Sequence, residues 1–282
     1  MFNIFRMHMY RVSKATSTWV MGIVLAAFML LSLGLFIFIY NNPFTFMADS
    51  ISVSMNGEGL RLYPADAHYL FIQSNDALLI LIAIFCVILT NCDFTWGFAK
   101  NTYCLFKKKT ELIIGKWLAM VTCISGVYIV CSGFGLLSSA LFLRPFRPEG
   151  WDEYFLGFFV GYLCLISLCT IVFFITSLLK SPAAGMIMGI LIATGIFVTG
   201  ERLLDLLIAR VGGASAKEMT QVMAGTGSYF RISDFCLDNV FVSYQGSMGA
   251  GDQIRTVIVS LVYLALALGL TIYFAEKKDV RT

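Results

Sequence analysis

The residues best able to do chemistry lie together in one stretch, Asn91–Glu111. Asp93 has the acceptor and the charge to cap a helix start. Phe94, Trp96, Gly97, Phe98, Lys100, Tyr103, Phe106, Lys107, Lys108 and Lys109 follow it. Large aromatics beside lysines equip a chain for docking rather than for bond-making. Rings fill a partner's pocket, and ammonium groups pair with acids at its rim. The same composition also suits an amphipathic helix on anionic headgroups. A plain connection between antiparallel helices needs about 2–8 residues, so a segment of this length reads as a folded cytoplasmic helix.

Bond-making machinery is not evident in the sequence. A nucleotide cradle needs glycine-rich backbone leading into Gly-Lys-Ser/Thr, but Gly115-Lys116 runs into Trp117. Neither HExxH nor GxSxG occurs, which removes the usual membrane-protease signatures. His8 and His68 are far apart and no CxxC pair is present, so no metal site is expected. Cys86, Cys92, Cys104, Cys123, Cys131, Cys164 and Cys169 fall in apolar runs or beside basic segments, leaving Cys236 alone in the longest polar loop. Structural disulfides are not expected. The chain reads as a non-enzyme with no catalytic residues, no bound cofactor and no nucleic-acid partner.

The elements that must position the docking stretch follow from the distribution of charge. Of 282 residues, 59% are hydrophobic and only 13% charged, roughly half the charge of an ordinary soluble domain. That excludes a soluble enzyme, a secreted disulfide scaffold and a disordered chain. A bilayer core of about 30 Å needs roughly 20 apolar residues in a helix. Trp19–Tyr40, Trp117–Leu143, Tyr154–Leu179, Ser181–Thr199 and Thr256–Ala275 carry no charge, and Tyr69–Thr90 carries only Asp76. The expected fold is an all-α integral membrane protein with six transmembrane helices. The uncharged run of 22 residues at Trp19–Tyr40 exceeds a signal-peptide core of about 7–15, and Phe46-Met47-Ala48 is a poor cleavage site, so this span is expected to stay as an anchor.

Placing the N-terminus inside gives the inner segments twelve basic and four acidic residues, against eight and thirteen for the rest. By the positive-inside rule both termini are cytoplasmic. Phe2, Phe5, Met9 and Val12 recur at helical spacing with Arg6, Arg11 and Lys14 mostly off that stripe, as in a helix lying in the interface; residues 1–17 are assigned to it. The outer loop Asn41–His68 is rich in turn signals such as Asn56-Gly57 and Tyr63-Pro64 and is expected to be irregular. A second outer connection is Arg144–Glu153. The third, residues 200–255, opens with an amphipathic helix Glu201–Arg210 stopped by Gly212-Gly213. Its apolar face is expected against the outer interface or other spans, and a second short helix is expected near Ser233–Tyr244. Asn75 and Asp76 have two readings. An intramembrane acid is often functional and would sit on a substrate path or subunit interface, but Gln73-Ser74-Asn75-Asp76 also fits the water boundary of a span starting at Ala77.

The chain resembles the membrane permeases of type-2 ATP-binding-cassette exporters. The resemblance rests on Asp93, Gly97, Lys100, Lys109 and Gly115-Lys116, with three lysines at a turn where that family commonly has arginine. It extends in architecture to the interfacial N-terminal helix, six spans and short outer helices before span six. It implies that residues 91–112 form a coupling helix seated in a separate cytoplasmic ATPase, which would hold the ATP and magnesium. A second permease subunit, identical or not, would complete the transporter in a bacterial plasma membrane. The exported substrate would be hydrophobic or amphipathic, a peptide or antimicrobial being the favoured case. The competing functions are a non-transporting scaffold or sensor that recruits a cytoplasmic partner, and an ion-driven secondary carrier.

The charge asymmetry makes a direct prediction. With all other cysteines replaced, an impermeant thiol reagent applied to intact cells is expected to label Cys236 and not Cys104. Labelling of Cys104 from outside would overturn the assigned orientation.

Overall fold

The computed structural model describes residues 2–41, 62–73, 75–95, 109–143, 146–179, 181–212, 231–237 and 250–277. Of these, 91% are helical, and no strands occur among them. The helices are α1 (Phe2–Lys14), α2 (Thr16–Asn41), α3 (Pro64–His68), α4 (Asp76–Thr95), α5 (Lys109–Phe142), α6 (Trp151–Leu179), α7 (Pro182–Ala193), α8 (Ile196–Val211) and α9 (Ala250–Lys277). A π-helical turn, Tyr69–Gln73, joins directly to α3.

The apolar runs produce these helices because a backbone in hydrocarbon must satisfy its N–H and C=O groups within its own segment. Four helices, in α2, α5, α6 and α9, are long and apolar enough to cross a membrane. Two bent pairs raise the count to six if each is one span: Pro64–Gln73 with Ala77–Asn91, bent 56°, and Pro182–Ala193 with Ile196–Val211, bent 53°. The chain is therefore a multi-pass helical membrane protein with four to six apolar helices. Its outward surface fits that solvent, since Trp19, Leu30 and Leu35 on α2 and Ile254, Leu261 and Leu266 on α9 are exposed.

Helix α6 is the hub. It packs on α3, α4, α5, α7 and α9, and its Cys164, Leu165, Cys169 and Phe173 are buried in the main core with Ile82 and Cys86 of α4 and Ile124 and Tyr128 of α5. Small polar groups close the α6–α9 contact: Ser167 Oγ donates to the Ser260 carbonyl at 2.8 Å. Ahead of α3 and α6, Leu62 forms a bridge with Phe146, and the Arg147 N–H donates to the Leu62 carbonyl at 2.9 Å.

Three expectations are corrected here. The segment before Tyr69 is not wholly irregular, because Pro64 opens a helical turn, with the Tyr63 N–H held by Asp66 Oδ2 at 3.0 Å. The fifth apolar run is not one straight helix to Thr199. It breaks at Thr194-Gly195, where Gly195 has φ +62, a left-handed conformation that glycine adopts at little steric cost. α8 then runs unbroken through Gly200, the position expected to start a loop. Its Leu203, Leu204, Leu207 and Ile208 are exposed, whereas Val198, Asp205 and Ala209 are buried. The face turned to the protein thus carries the acid: Asp205 Oδ1 accepts from the Ile232 N–H at 2.6 Å. Of the helix expected near Ser233–Tyr244, the described residues hold a 3-10 turn, Ser233–Phe235, and a helical Leu237, while 238–244 lie outside the described residues.

α1 forms as expected, but the residues it buries most deeply are Ile4 and His8, one step round from the Phe2, Phe5, Met9 and Val12 stripe. The cause is a close approach to α5. A Cβ on Gly115 would sit 2.7 Å from Ile4 Cγ2, nearer than packed carbons tolerate. Gly115 therefore has a packing role of its own. Gly115→Leu is expected to lift α1 from α5. Met9 Sδ lies 4.0 Å from Cys123 Sγ, so a Met9→Cys cross-link to Cys123 reports the contact, and the cross-link is expected to fall sharply in Gly115→Leu. An unchanged yield would show that α1 is not seated through this glycine.

Candidate functional site

Where the apolar bundle encloses polar side chains, the chemistry is concentrated around His68, the last residue of α3 and 3% exposed. The π-helical turn that follows widens the backbone by one residue, a device found often at functional sites. Here it accompanies a histidine placed between α5 and α6. His68 Nδ1 lies 3.0 Å from Ser132 Oγ, and Nε2 lies 3.0 Å from Tyr128 Oη. Ser132 Oγ lies 3.1 Å from Tyr154 Oη, and Tyr128 Oη donates to the Phe158 carbonyl at 2.9 Å.

These contacts accept a single direction of donation. Tyr128 spends its proton on Phe158, so it receives from His68 Nε2–H; Nδ1 of the neutral ring then accepts from Ser132, which accepts from Tyr154. The result is a relay of one imidazole and three hydroxyls across α6, α5 and α3. Aromatic rings close around it, with His68 meeting Tyr128 and Tyr154 edge-on at centroid distances of 5.7 Å each. Gln73, at the end of the π-helical turn, lies alongside. Its Nε2 is buried without a hydrogen-bond partner among the described residues, in a notch left by Gly161, whose Cβ would fall 2.6 Å from it.

The relay is one rung of a ladder between antiparallel α5 and α6. Ser125 Oγ pairs with Tyr162 Oη at 2.6 Å, and Trp117 Nε1 donates to Thr170 Oγ1 at 3.1 Å. As the α5 number falls the α6 number rises in step, so the polar groups meet in register. Bonds of this kind between membrane helices contribute about 0.6 kcal/mol on average, and up to about 1.7.

The residues singled out from the sequence are placed as follows. Asn75 lies just before α4; its Oδ1 accepts from the Leu78 N–H at 3.3 Å, which is the work of a helix cap, and its Nδ2 reaches Ser32 Oγ at 3.5 Å. Asp76 is the first residue of α4. Asp93 and Phe94, expected to open a new helix, belong to the last turn of α4, whose hydrogen-bonded backbone runs on to Thr95. Lys109 is the first residue of α5, and at that end Thr110 Oγ1 donates to Glu276 Oε1 of α9. Trp96, Gly97, Phe98, Lys100, Tyr103, Phe106, Lys107 and Lys108 lie outside the described residues. The His68 relay was not foreseen. Its signal was the four-residue spacing of Tyr128 with Ser132, and of Tyr154 with Phe158 and Tyr162, which sets each group on one helix face.

If the relay holds together as a unit, its members must be energetically coupled. In denaturant titrations of the protein in detergent, His68→Ala is expected to destabilise by about 1–3 kcal/mol, because it strands buried hydroxyls. Ser132→Ala alone is expected to cost about 1 kcal/mol. The double variant should fall short of additivity by about 0.5 kcal/mol or more. Strict additivity would break the relay into unrelated contacts.

No protein-family model matches this chain and no similar curated protein is found, so the site is characterised by its own geometry: a buried histidine–hydroxyl relay that ties together three helices of a membrane bundle.

Proposed function

We infer that the chain is the permease subunit of an ATP-driven exporter, with a separate cytoplasmic ATPase as its motor. The observation that carries this reading is the aromatic and lysine-rich stretch 96–108, held between the ends of α4 and α5. Both helices are packed into the core, so force applied to the stretch reaches the bundle. α5 supports the same reading. Its 34 residues rise about 51 Å, well over the roughly 30 Å of hydrocarbon, so part of it stands clear of the lipid. α1, seated on Gly115, and Glu276 of α9, bonded to Thr110, brace that end.

In this reading the end bearing α1 faces the cytoplasm, as the basic residues favour. ATP closes a pair of ATPase subunits, each engaging the 96–108 stretch of one permease, and the paired bundles switch access to the outside. Apolar, aromatic walls suit a hydrophobic or amphipathic cargo such as a peptide. A second reading has one observation in its favour. The buried His68 relay is of the type that moves protons in ion-driven carriers, and such a carrier would need no ATPase.

One experiment separates them. Trp96→Ala with Phe98→Ala removes two large anchors, each commonly worth about 2 kcal/mol or more at an interface. Capture of the cytoplasmic ATPase that this reading requires is expected to weaken by well over tenfold, with membrane insertion unchanged. Lys107→Ala is expected to act mildly, chiefly on association rate and salt dependence. Undiminished capture by the double variant would remove the stretch as the docking site. Transport in vesicles that depends on a proton gradient and not on ATP, and is lost in His68→Ala, would establish the carrier instead.

A further inference from the structure

Between α4, α6 and α7 lies an apolar groove with an empty volume of about 440 Å³, lined by Ile82, Ala83, Cys169, Val172, Gly189 and Gly195 among others. Its walls change in exposure along its length. Ile82, Ala83, Cys169 and Val172 are buried, at 2%, 6%, 3% and 3%. The lining residues Ile192, Ala193 and Gly195 are half-buried, and Ile196 and Phe197 next to them are exposed. The groove therefore comes to the surface at the Thr194-Gly195 break and leads from there into the core. Small residues at Ala83, Gly189, Ala193 and Gly195 leave it unfilled by the protein's own side chains.

We propose that this groove is a lipid site, occupied by one acyl chain of a membrane phospholipid. Its surroundings select the occupant. The three helices belong to the apolar segments of a membrane bundle, so the matter available at the mouth is hydrocarbon. Water has little to hold it inside. A buried water needs two to four polar partners, and among the lining side chains only the Cys169 thiol, a weak donor, offers one. An empty groove would forfeit dispersion contacts along all its walls. The volume falls within the roughly 300–1,000 Å³ of ligand pockets, and an unbranched chain suits a slot between three helices. None of the described residues lining it is charged, so the phosphate stays outside and the chain alone enters. A chain seated there becomes part of the packing that holds α7 against α4 and α6 beside the 53° bend.

The test uses the full chain in phosphatidylcholine vesicles that contain a phosphatidylcholine with a diazirine near the end of one acyl chain. After illumination, labelled residues are mapped by peptide mass spectrometry. Lipid lying only around the bundle would label the exposed Leu261 and Leu266 of α9 and spare the buried Cys169 and Val172. Entry of a chain is expected to label residues 168–172 as well. Ala193→Phe plugs the mouth and is expected to cut that label about fivefold or more, with the α9 label unchanged. Gly189→Ala is the gentler variant, because its Cβ would meet Ala83, Val172 and Val87 at 3.5–3.7 Å, ordinary contact distances. It is expected to lower the groove label by about half. Elution volume and far-ultraviolet dichroism identify variants that remain folded. Labelling confined to exposed surfaces, or groove labelling undiminished in folded Ala193→Phe, would overturn the site. Cross-linking between two copies of Ile192→Cys in the bilayer, with no lipid label at 168–172, would put a second copy there instead. The groove and its occupant do not depend on what the chain transports.

Discussion

In hydrocarbon there is no water to take up a polar group that lacks a partner, and this constraint governs the bundle from backbone to side chain. Along the backbone it selects helices. Between helices it drives buried hydroxyls and the His68 imidazole to find neighbours, many of them on α6, with Gln73 Nε2 left as an exception. Ser167 reaches α9, Thr170 receives Trp117, Tyr162 meets Ser125, and Tyr154 meets Ser132. Apolar packing alone discriminates weakly between one helix rotation and another, because lipid tails are as apolar as leucine. The hydroxyl pairs fix which faces meet and at what height.

His68 is held in the same way but at greater stake. An imidazole can donate through one nitrogen and accept through the other only if its partners present the matching atoms. Here α5 provides both partners and α6 provides the groups that keep those partners oriented. The π-helical turn after α3 brings the ring to them at the cost of one irregular stretch of backbone. An irregular backbone at this depth persists because it is buried against protein.

Much of the architecture was legible in the sequence, and the failures have physical causes. The long uncharged runs located α2, α5, α6 and α9, because burial in lipid is a property of composition. The Thr194-Gly195 break escaped because a bend depends on the backbone angle of one residue, with no charge or proline to announce it. The amphipathic character of α8 was legible, with Leu203 and Leu207 on its outward face; the bond from Asp205 to the backbone at Ile232 was not, because the two lie far apart in sequence. The His68 relay joins residues far apart in sequence, so its parts could be seen as faces of two helices but not as a group. The 96–108 stretch, which carries the docking argument, was read from residue types alone.

The short α7 has a consequence for the surrounding lipid. Twelve residues rise about 18 Å, which falls short of a bilayer core of about 30 Å. α8 departs at 53° instead of completing the distance directly, with its leucines facing outward. The membrane beside this pair must thin, or α8 must sink obliquely among the acyl chains, at a cost of a fraction of a kcal/mol per Å of mismatch. Acyl-chain length thereby becomes a variable in the energy of the protein, with thin bilayers relaxing the bend and thick ones loading it.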